Sequence, residues 1–471
     1  MWWRTPWLRQ RWLMLSLALG DGLLLLGIYN LLFWHRFGRW AGLTGSIGTL
    51  IVVWLGSSYL LGRYSRPDPG QRDSRRHRLV ATGLMGVVVL AVVVVFSWGF
   101  KFNDPRTFRS FVVPVLGVTT LCSAAAQLWV TRLQTRQRHW LLVGTEQELS
   151  VLRQELANHS SNNGLETSFC NCEAISATTE SVRQPTWDGI AVSESANLPD
   201  SLIETLLEAR GHGRLVLSLV GWSEQHLQRV PPELFSSRWL VQAEGFELQP
   251  GRWSWRVKRL GDVLVATILI AISAPLVLLA ALAIRLEDGG PVFYQQVRTG
   301  LYGQPYRVWK LRSMIEYAER DGAQWAKNGD PRITTIGSWV RRLRVDELPQ
   351  LVGVLLGEMS LIGPRPERPE IEISLEQRIP HYRVRHWIRP GLSGWAQVCF
   401  PYGASVEDSR IKLSYDLYYL RNASILLDIL IMIKTIRLVF RAEGASPKTA
   451  ISRTIVKEQQ ESPMTRRIND P

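Results

Sequence analysis

The chain has 471 residues and a mass of 53.6 kDa, with 55 lysines and arginines against 41 aspartates and glutamates, a net charge of +14. Hydrophobic residues make up 46% and charged residues 20%, and 20 are tryptophans, so long apolar runs alternate with basic segments. This excludes collagen-like, disulfide-stapled and wholly disordered classes, and it fits a membrane surface or anionic substrates better than sequence-specific nucleic-acid recognition.

Four apolar stretches open the chain: roughly Trp12 to Trp34, Leu43 to Leu61, Leu79 to Phe100 and Phe111 to Val130. Each approaches the roughly 20 residues that cross a bilayer as a helix. A cleaved signal peptide is a poor reading of the first, which carries Asp21 and has no small-residue cleavage site. Soluble core helices are also a poor reading, because runs such as Val87 to Phe96 have no polar face. The expectation is a four-helix transmembrane anchor over residues 1–138. Basic residues concentrate before the first run (Arg4, Arg9, Arg11), between the second and third (Arg63 to Arg78) and after the fourth (Arg132, Arg136, Arg138). The positive-inside rule then puts both ends of the anchor in the cytoplasm. Asp21 is an intramembrane acid and so a functional candidate. With no partner charge evident, helix packing is the preferred role.

From His139 the pattern becomes that of an α/β domain over residues 139–250. Trp140 to Gly144 reads as a strand ending in a turn and Glu146 to Leu156 as a helix. Gly189 to Val192 and Arg214 to Val220 read as strands with a helix, Leu202 to Ala209, between them. The alternation predicts a small parallel sheet. Dinucleotide binding would require G-x-G-x-x-G after the first strand, but Gly144 is followed by Thr145, Glu146 and Gln147. A structural or oligomerisation role is the better expectation. Asn158 to Gln184, rich in Ser, Asn and Thr, reads as a loop or insertion. The four cysteines, at 122, 170, 172 and 399, form no disulfide framework or repeated metal-ligand spacing, and the Cys170-x-Cys172 pair reads as free thiols.

Trp253, Trp255, Arg256, Lys258 and Arg259 precede a fifth apolar run, Val263 to Ile284, interrupted by Ser273-Ala274-Pro275. Proline removes a helix hydrogen bond and crowds the preceding turn. Residue patterns alone leave a kinked spanning helix and a re-entrant helix-break-helix at 262–286 equally open. A dense set of motifs follows. These are Gly290-Pro291-Val292-Phe293-Tyr294-Gln295-Gln296-Val297-Arg298-Thr299-Gly300, Lys310-Leu311-Arg312-Ser313-Met314 and Asp330-Pro331-Arg332-Ile333-Thr334. Next stand Arg341-Arg342-Leu343-Arg344-Val345-Asp346-Glu347-Leu348-Pro349, Met359 to Pro366, and Arg389-Pro390-Gly391-Leu392-Ser393-Gly394-Trp395.

In these motifs and their order the chain resembles the bacterial sugar transferase family, the monotopic polyprenyl-phosphate phosphoglycosyl transferases, over about Lys258 to Gly444. The anchor and middle domain resemble the family's long form, found in exopolysaccharide and O-antigen initiation. The resemblance implies a membrane protein of α plus α/β class. It would consist of a four-helix transmembrane bundle, a degenerate Rossmann-like α/β domain, and a monotopic catalytic domain at 251–444 with a re-entrant membrane helix and interfacial amphipathic helices. It further implies transfer of a sugar-1-phosphate from a UDP-sugar to undecaprenyl phosphate, with release of UMP, on the cytoplasmic face of the bacterial inner membrane. A homodimer and the lipid bilayer are implied partners.

Adjacent carboxylates need not share one job, since neighbours on a helix point about 100° apart. One can attack phosphorus and form a covalent intermediate, while the other binds Mg²⁺, which needs only one or two carboxylates beside phosphate oxygens and water. By resemblance Asp346 is the nucleophile, Glu347 the Mg²⁺ ligand and Arg341 a phosphate contact. Lys310 and Arg312 alternate onto one strand face and are candidate substrate-side cations, as is Arg365 in the stiff Gly363-Pro364-Arg365-Pro366 turn. The chain departs from many relatives at Ala274, before the helix-breaking proline, and at Arg344, where a small polar residue is common. Ser424 to Phe440, apolar but carrying Asp428, Lys434 and Arg437, predicts an interfacial amphipathic helix, and residues 445–471 a polar disordered tail. Two other functions remain open on sequence: a membrane glycosyltransferase releasing UDP, and a non-catalytic scaffold for polysaccharide assembly.

Overall fold

The computed structural model describes residues 6–61, 63–64, 80, 82–91, 109–133, 138–158, 165–184, 186–246, 253–316, 318, 330–400 and 405–440. The chain divides into two compact units, 1–219 and 220–471. Most of the arginine-rich linker after Tyr64, the second half of the third apolar run and the C-terminal tail lie outside the described residues.

The first unit begins with apolar helices α1 (Pro6–Phe37), α2 (Gly45–Leu60), α3 (Thr82–Ala91) and α4 (Arg109–Leu133). Of these, α1 and α4 contain stretches long and apolar enough to cross a membrane, Met14–Phe37 and Phe111–Trp129, while the described parts of α2 and α3 are shorter. Leu25, Tyr29, Phe33, Trp54, Met85 and Phe111 belong to one buried cluster drawn from all four helices. Asp21 is not alone, as the sequence suggested. Arg63, fully buried just beyond α2, pairs with it at 3.0 Å. Tyr64 donates to its second oxygen at 2.6 Å, and the Ser123 hydroxyl of α4 donates to its first. Arg63 also reaches Gln127, which accepts from Thr82 at 2.9 Å. A charge that is expensive among apolar helices is thus matched by an opposite charge and hydroxyl donors.

The same unit continues into an α/β domain. Strands β1 (Arg138–Gly144), β2 (Leu165–Asn171), β3 (Gly189–Val192) and β4 (Leu215–Ser218) form a wholly parallel sheet in the order β2-β1-β3-β4. Helices α5 (Glu146–Asn158), α6 (Ile175–Arg183) and α7 (Asp200–Gly211) make the connections. The order reverses between β1 and β3, the arrangement of a doubly wound sheet. Strand β2 and helix α6 occupy the stretch expected to be a loop. The polar strand pairs through its whole length with β1 but sits at the sheet edge, where one side needs no apolar cover, so its composition conceals it. Cys172, just beyond its end, is buried in the core below the sheet.

The second unit starts within α8 (Leu219–Leu227) and includes α9 (Ser237–Gln242), and its C-terminal elements hold the segment between these two helices. Val230 N–H donates to Ser414 O at 2.8 Å, the Trp395 indole donates to Gln228 O at 3.0 Å, and Arg410 pairs with Glu233 at 3.2 Å. Then comes α10 (Trp253–Asp288), a helix of 36 residues with Pro275 inside it. At the expected break the helix continues through Pro275. Ser273 Oγ makes only a long 3.5 Å contact to Ile270 O. Both ends of α10 are tied to the same unit. Near its start Asp262 accepts from Ser360 at 2.8 Å, and at its end Glu287 accepts from Ile336 N–H at 3.1 Å. Between these points Ile268, Ile272, Leu276, Leu278, Leu279 and Leu282 are exposed.

A hairpin of β5 (Phe293–Thr299) and β6 (Pro305–Leu311) follows, then α11 (Thr335–Arg342), α12 (Gln350–Leu356) and β7 (Ser360–Ile362). Thr334 caps α11 by accepting from Gly337 N–H, and Gly357, at φ +88°, ends α12. Next come α13 (Pro369–Glu376), β8 (Gly391–Ser393), α14 (Trp395–Cys399), the buried α15 (Val406–Asn422) and α16 (Ile425–Phe440). Strands β7 and β8 pair in parallel so closely that a Cβ on Gly391 would stand 2.1 Å from Gly363 N. That contact accounts for glycine at both motif positions. Helix α16 buries Leu427, Asp428 and Ile431 and exposes Ile425, Ile429, Ile433 and Ile436, a one-sided apolar stripe. Asp428 belongs to its inner face, where it pairs with Lys258 at 2.7 Å and accepts from Tyr419 at 2.6 Å.

Candidate active site

Asp346 and Glu347 stand on a short 3₁₀ turn, Val345–Glu347, between α11 and α12. The turn is entered through Arg344 in the left-handed region, at φ +60°. That conformation costs a non-glycine residue roughly 1–2 kcal/mol. Here the arginine returns a charge contact, with its guanidinium 3.6 Å from Glu347 Oε2. Val345 packs beneath, in a cluster with Ile284 of α10, Leu311 of β6 and Val340 of α11. The carboxylates are therefore carried on a turn fixed by core packing.

The two acids have opposite surroundings. Glu347 Oε1 takes Arg365 at 2.6 Å and Lys310 at 3.4 Å, with Arg344 on the other oxygen. Burial opposes its ionisation, but Arg365, Lys310 and Arg344 outweigh burial and hold its carboxyl well below the usual range. Asp346 is equally buried, yet its Oδ1 has no hydrogen-bond partner among the described residues. Burial, then the neighbouring charge of Glu347, pushes it up to about 6 against the pull of Lys310, Arg341 and Arg344. A buried carboxylate oxygen without a donor is costly, and such atoms concentrate where a ligand or reacting group completes the site.

The structure gathers Lys310, Arg344, Asp346, Glu347 and Arg365 into one cluster, with Arg341, in the last turn of α11, close enough to act on Asp346 electrostatically. Arg312 is placed differently. It lies just past β6 and binds Asp288 at the end of α10, its guanidinium crowding Gly290. Further arginines had no sequence-derived role. Arg385 donates to the Arg365 carbonyl at 2.8 Å and pairs with buried Asp416 at 3.0 Å. Arg298 donates to Pro366 O at 3.2 Å and faces Glu367 at 3.7 Å. Together they fix the backbone of the Gly-Pro-Arg-Pro turn from both sides. Arg298 lies inside a quoted motif, whereas Arg385 carries no local signal. Beside the turn opens a cleft of about 180 Å³ lined by Thr299, Pro364, Arg365, Arg385 and His386 among others.

The α/β domain has the opposite character at the point where a doubly wound sheet usually receives a ligand. Thr145 and Glu148 form a capping box at the start of α5. Glu148 Oε2 accepts from Thr145 N–H at 2.9 Å, and its Oε1 accepts from Ser193 beyond β3 at 2.7 Å. A Cβ on Gly144 would meet Leu219 at 2.9 Å and Glu148 at 3.0 Å. A carboxylate of the protein occupies the place where a phosphate would dock.

Residues 253–442 match the family described as bacterial sugar transferase. A UDP-glucose:undecaprenyl-phosphate glucose-1-phosphate transferase of Caulobacter vibrioides is 42% identical over 190 residues, 40% of this chain and 71% of the relative. The chain belongs to the bacterial sugar transferase family. A UDP-N-acetylgalactosamine-undecaprenyl-phosphate N-acetylgalactosaminephosphotransferase of Aeromonas hydrophila is 48% identical over 189 residues, 40% of this chain and 45% of the relative. A UDP-glucose:undecaprenyl-phosphate glucose-1-phosphate transferase of Escherichia coli is 37% identical over 182 residues, 38% of this chain and 39% of the relative. The matches span under half the length of these last two proteins, and residues 253–442 contain the whole Asp346–Glu347 cluster.

Proposed function

We propose that the protein transfers a sugar-1-phosphate from a UDP-sugar to undecaprenyl phosphate through a covalent aspartyl phosphosugar, and so initiates an exopolysaccharide or related glycan. The observation that carries this reading is the pair of unlike carboxylates: Glu347 saturated by cations, Asp346 buried with an open oxygen. The first supports binding, the second attack. Asp346 Oδ1 attacks the sugar-bearing phosphorus, an O–P bond forms, the phosphoanhydride bond breaks and UMP leaves. A phosphate oxygen of undecaprenyl phosphate then attacks the same phosphorus and restores the Asp346 carboxylate. No net proton is consumed, and the product is a diphosphate-linked sugar lipid.

Lys310, Arg341, Arg344 and Arg365 supply the positive field that a diphosphate requires. In the free protein Arg365 and Lys310 rest on Glu347; with substrate bound they turn part of that charge to phosphate oxygens. The chemistry of the donor set fits Mg²⁺, because a lone carboxylate together with substrate phosphates and water suffices for it. Glu347 would hold the ion. When bound, the ion would offset charge on the diphosphate. Among the described residues no group of three or more acidic, histidine or cysteine side chains forms a closed metal cage.

The membrane arrangement follows from the same reading. Helix α10 has an exposed apolar middle and both ends held by the same unit, which favours a re-entrant insertion over a full crossing and keeps Asp346 on the cytoplasmic face of the inner membrane. The stripe on α16 would lie in the interface. The α/β domain, its docking point filled by Glu148, would serve packing or homodimer formation and not nucleotide binding. Purified full-length protein with undecaprenyl phosphate and a panel of UDP-sugars tests the reaction. Stoichiometric UMP is expected with one or a few donors, whereas UDP as the nucleotide product would assign a conventional glycosyltransferase.

A further inference from the structure

Each of the five residues from Gly363 to Glu367 has a backbone group held by a hydrogen bond. Gly363 N–H donates to Ser393 O at 2.9 Å, and Pro364 O accepts from Gly391 N–H at 2.8 Å. The next three carbonyls are taken in succession. Arg365 O accepts from Arg385 at 2.8 Å, Pro366 O from Arg298 at 3.2 Å, and Glu367 O from Thr299 N–H at 3.1 Å. Pro364 and Pro366 fix φ at two of the five positions. The turn is thus anchored along its whole length, and the freedom left to Arg365 is that of its side chain.

Arg385 is an unusual anchor. It stands on the short 3₁₀ segment Tyr382–Trp387, and its side chain is only 5% exposed. Asp416 of α15 pairs with it at 3.0 Å, Glu372 of α13 faces it at 3.6 Å, and the Tyr382 hydroxyl accepts from it at 2.8 Å. Both carboxylates are buried. Two buried acids therefore neutralise a guanidinium that also donates to a neutral carbonyl. For stability alone, apolar packing of the same volume serves as well or better. What apolar packing lacks is a rigid donor aimed at Arg365 O. The residue held in this way is the one that reaches the acid pair: Arg365 keeps 37% of its side chain exposed and meets Glu347 at 2.6 Å.

We propose that Arg385 is a positioning residue for Arg365. Locked by Asp416, Glu372 and Tyr382, it fixes the Arg365 backbone so that one anchored guanidinium meets Glu347 in the free protein and a donor phosphate in the complex. Arg385 does not contact the reacting atoms and acts through Arg365 alone. An arginine on a loose turn would spread its charge over several rotamers and anchor positions, and an error of about 1 Å at a phosphate is already expensive. The proposal rests on the phosphate role given to Arg365 above.

The test is a double-mutant cycle in the full-length protein, read as kcat per folded molecule, with thermal unfolding alongside. Arg365→Gln should lower kcat about 10²-fold, the scale of a lost electrostatic stabiliser. Arg385→Lys keeps a charge for Asp416, but a point ammonium cannot reproduce the forked grip of a guanidinium, and kcat should fall about tenfold. The two together should cost about 10²-fold, because Arg385 has nothing left to position once Arg365 is gone. Tyr382→Phe removes one acceptor from Arg385 and no charge. It should cost about threefold, add nothing to Arg365→Gln, and decide the cycle should Arg385→Lys prove unfolded. Rates are counted on whichever nucleotide appears, UMP or UDP, so an error in the assigned reaction leaves the cycle readable. Hydrogen exchange needs no catalysis: the peptide spanning residues 363–372 should exchange faster in the folded variant than in the wild type. Losses that multiply to about 10³-fold for Arg385→Lys with Arg365→Gln, or unchanged exchange of the turn, would overturn the proposal and leave Arg385 a purely structural residue.

Discussion

Two buried acid clusters define this molecule, and they are built to opposite ends. In the N-terminal helices Asp21 has both oxygens engaged, by Arg63, Tyr64 and Ser123, and Gln127 and Thr82 extend the network. In the family domain Glu347 is held by three cations while Asp346 keeps an open oxygen. Burial is similar at the two places, so burial alone does not mark chemistry. The difference lies in what is left unsatisfied. A closed network has nothing to offer a substrate and holds helices together, whereas an open carboxylate beside surplus positive charge suits the phosphoryl transfer proposed above.

The sharpest break in this comparison is at Asp346. Asp346→Asn should lower turnover by at least about 10³-fold, the scale of losing a covalent nucleophile, with little change in thermal stability. Asp21→Asn should do the reverse. It leaves Arg63 buried without its counter-charge, costing about 3–5 kcal/mol of stability, while kcat per folded molecule stays near the wild-type value. Replacing both partners, Asp21→Leu with Arg63→Met, should recover much of that loss in thermal unfolding. If the double replacement were as unstable as Asp21→Asn, the network would be more than a packing device.

Much of this division was legible in the sequence, for uneven reasons. Asp346, Glu347, Lys310 and Arg365 were legible because their motifs keep a recognisable order, although Arg365 is 18 residues from Glu347 and no local rule brings them together. Arg312 shares the alternation of Lys310, but the strand ends at Leu311 and the side chain turns to Asp288. The Arg63 partner of Asp21 was hidden because it stands in a basic linker that reads as a topology signal. Strand β2 was hidden by its polar edge position, and Arg385 had no motif at all. At α10 the residues Ser273-Ala274-Pro275 read as a break, and the helix continues through Pro275, because a proline can kink a helix without ending it.

Smaller effects sharpen the division of labour between the two carboxylates. Glu347→Gln should cost roughly 10²-fold, as for a lost electrostatic stabiliser, and should raise the Mg²⁺ concentration needed for half-maximal rate. An unchanged Mg²⁺ dependence would remove Glu347 from the metal. The pH–rate profile separates the acids further. Asp346, pushed up to about 6, is ionised above that pH, so kcat/KM should fall as pH drops through 6, about tenfold per unit at the acid limit. Glu347, held low, stays ionised over that range. A profile flat down to pH 5 would show that the attacking group is not a carboxylate with a raised pKa. The smallest effect belongs to the α/β domain. Glu148→Ala should cost about 1 kcal/mol of stability through loss of the capping box and leave transferase activity unchanged.

The most direct measurement looks for the intermediate itself. Full-length protein is mixed with a UDP-sugar labelled in the phosphate next to the sugar, without acceptor lipid, quenched, digested and mapped. The account predicts label on the peptide carrying Asp346, none in Asp346→Asn, and discharge of the label into lipid when undecaprenyl phosphate is added. Release of UMP only in the presence of acceptor, with no labelled peptide at any time, would contradict it and leave a direct one-step transfer.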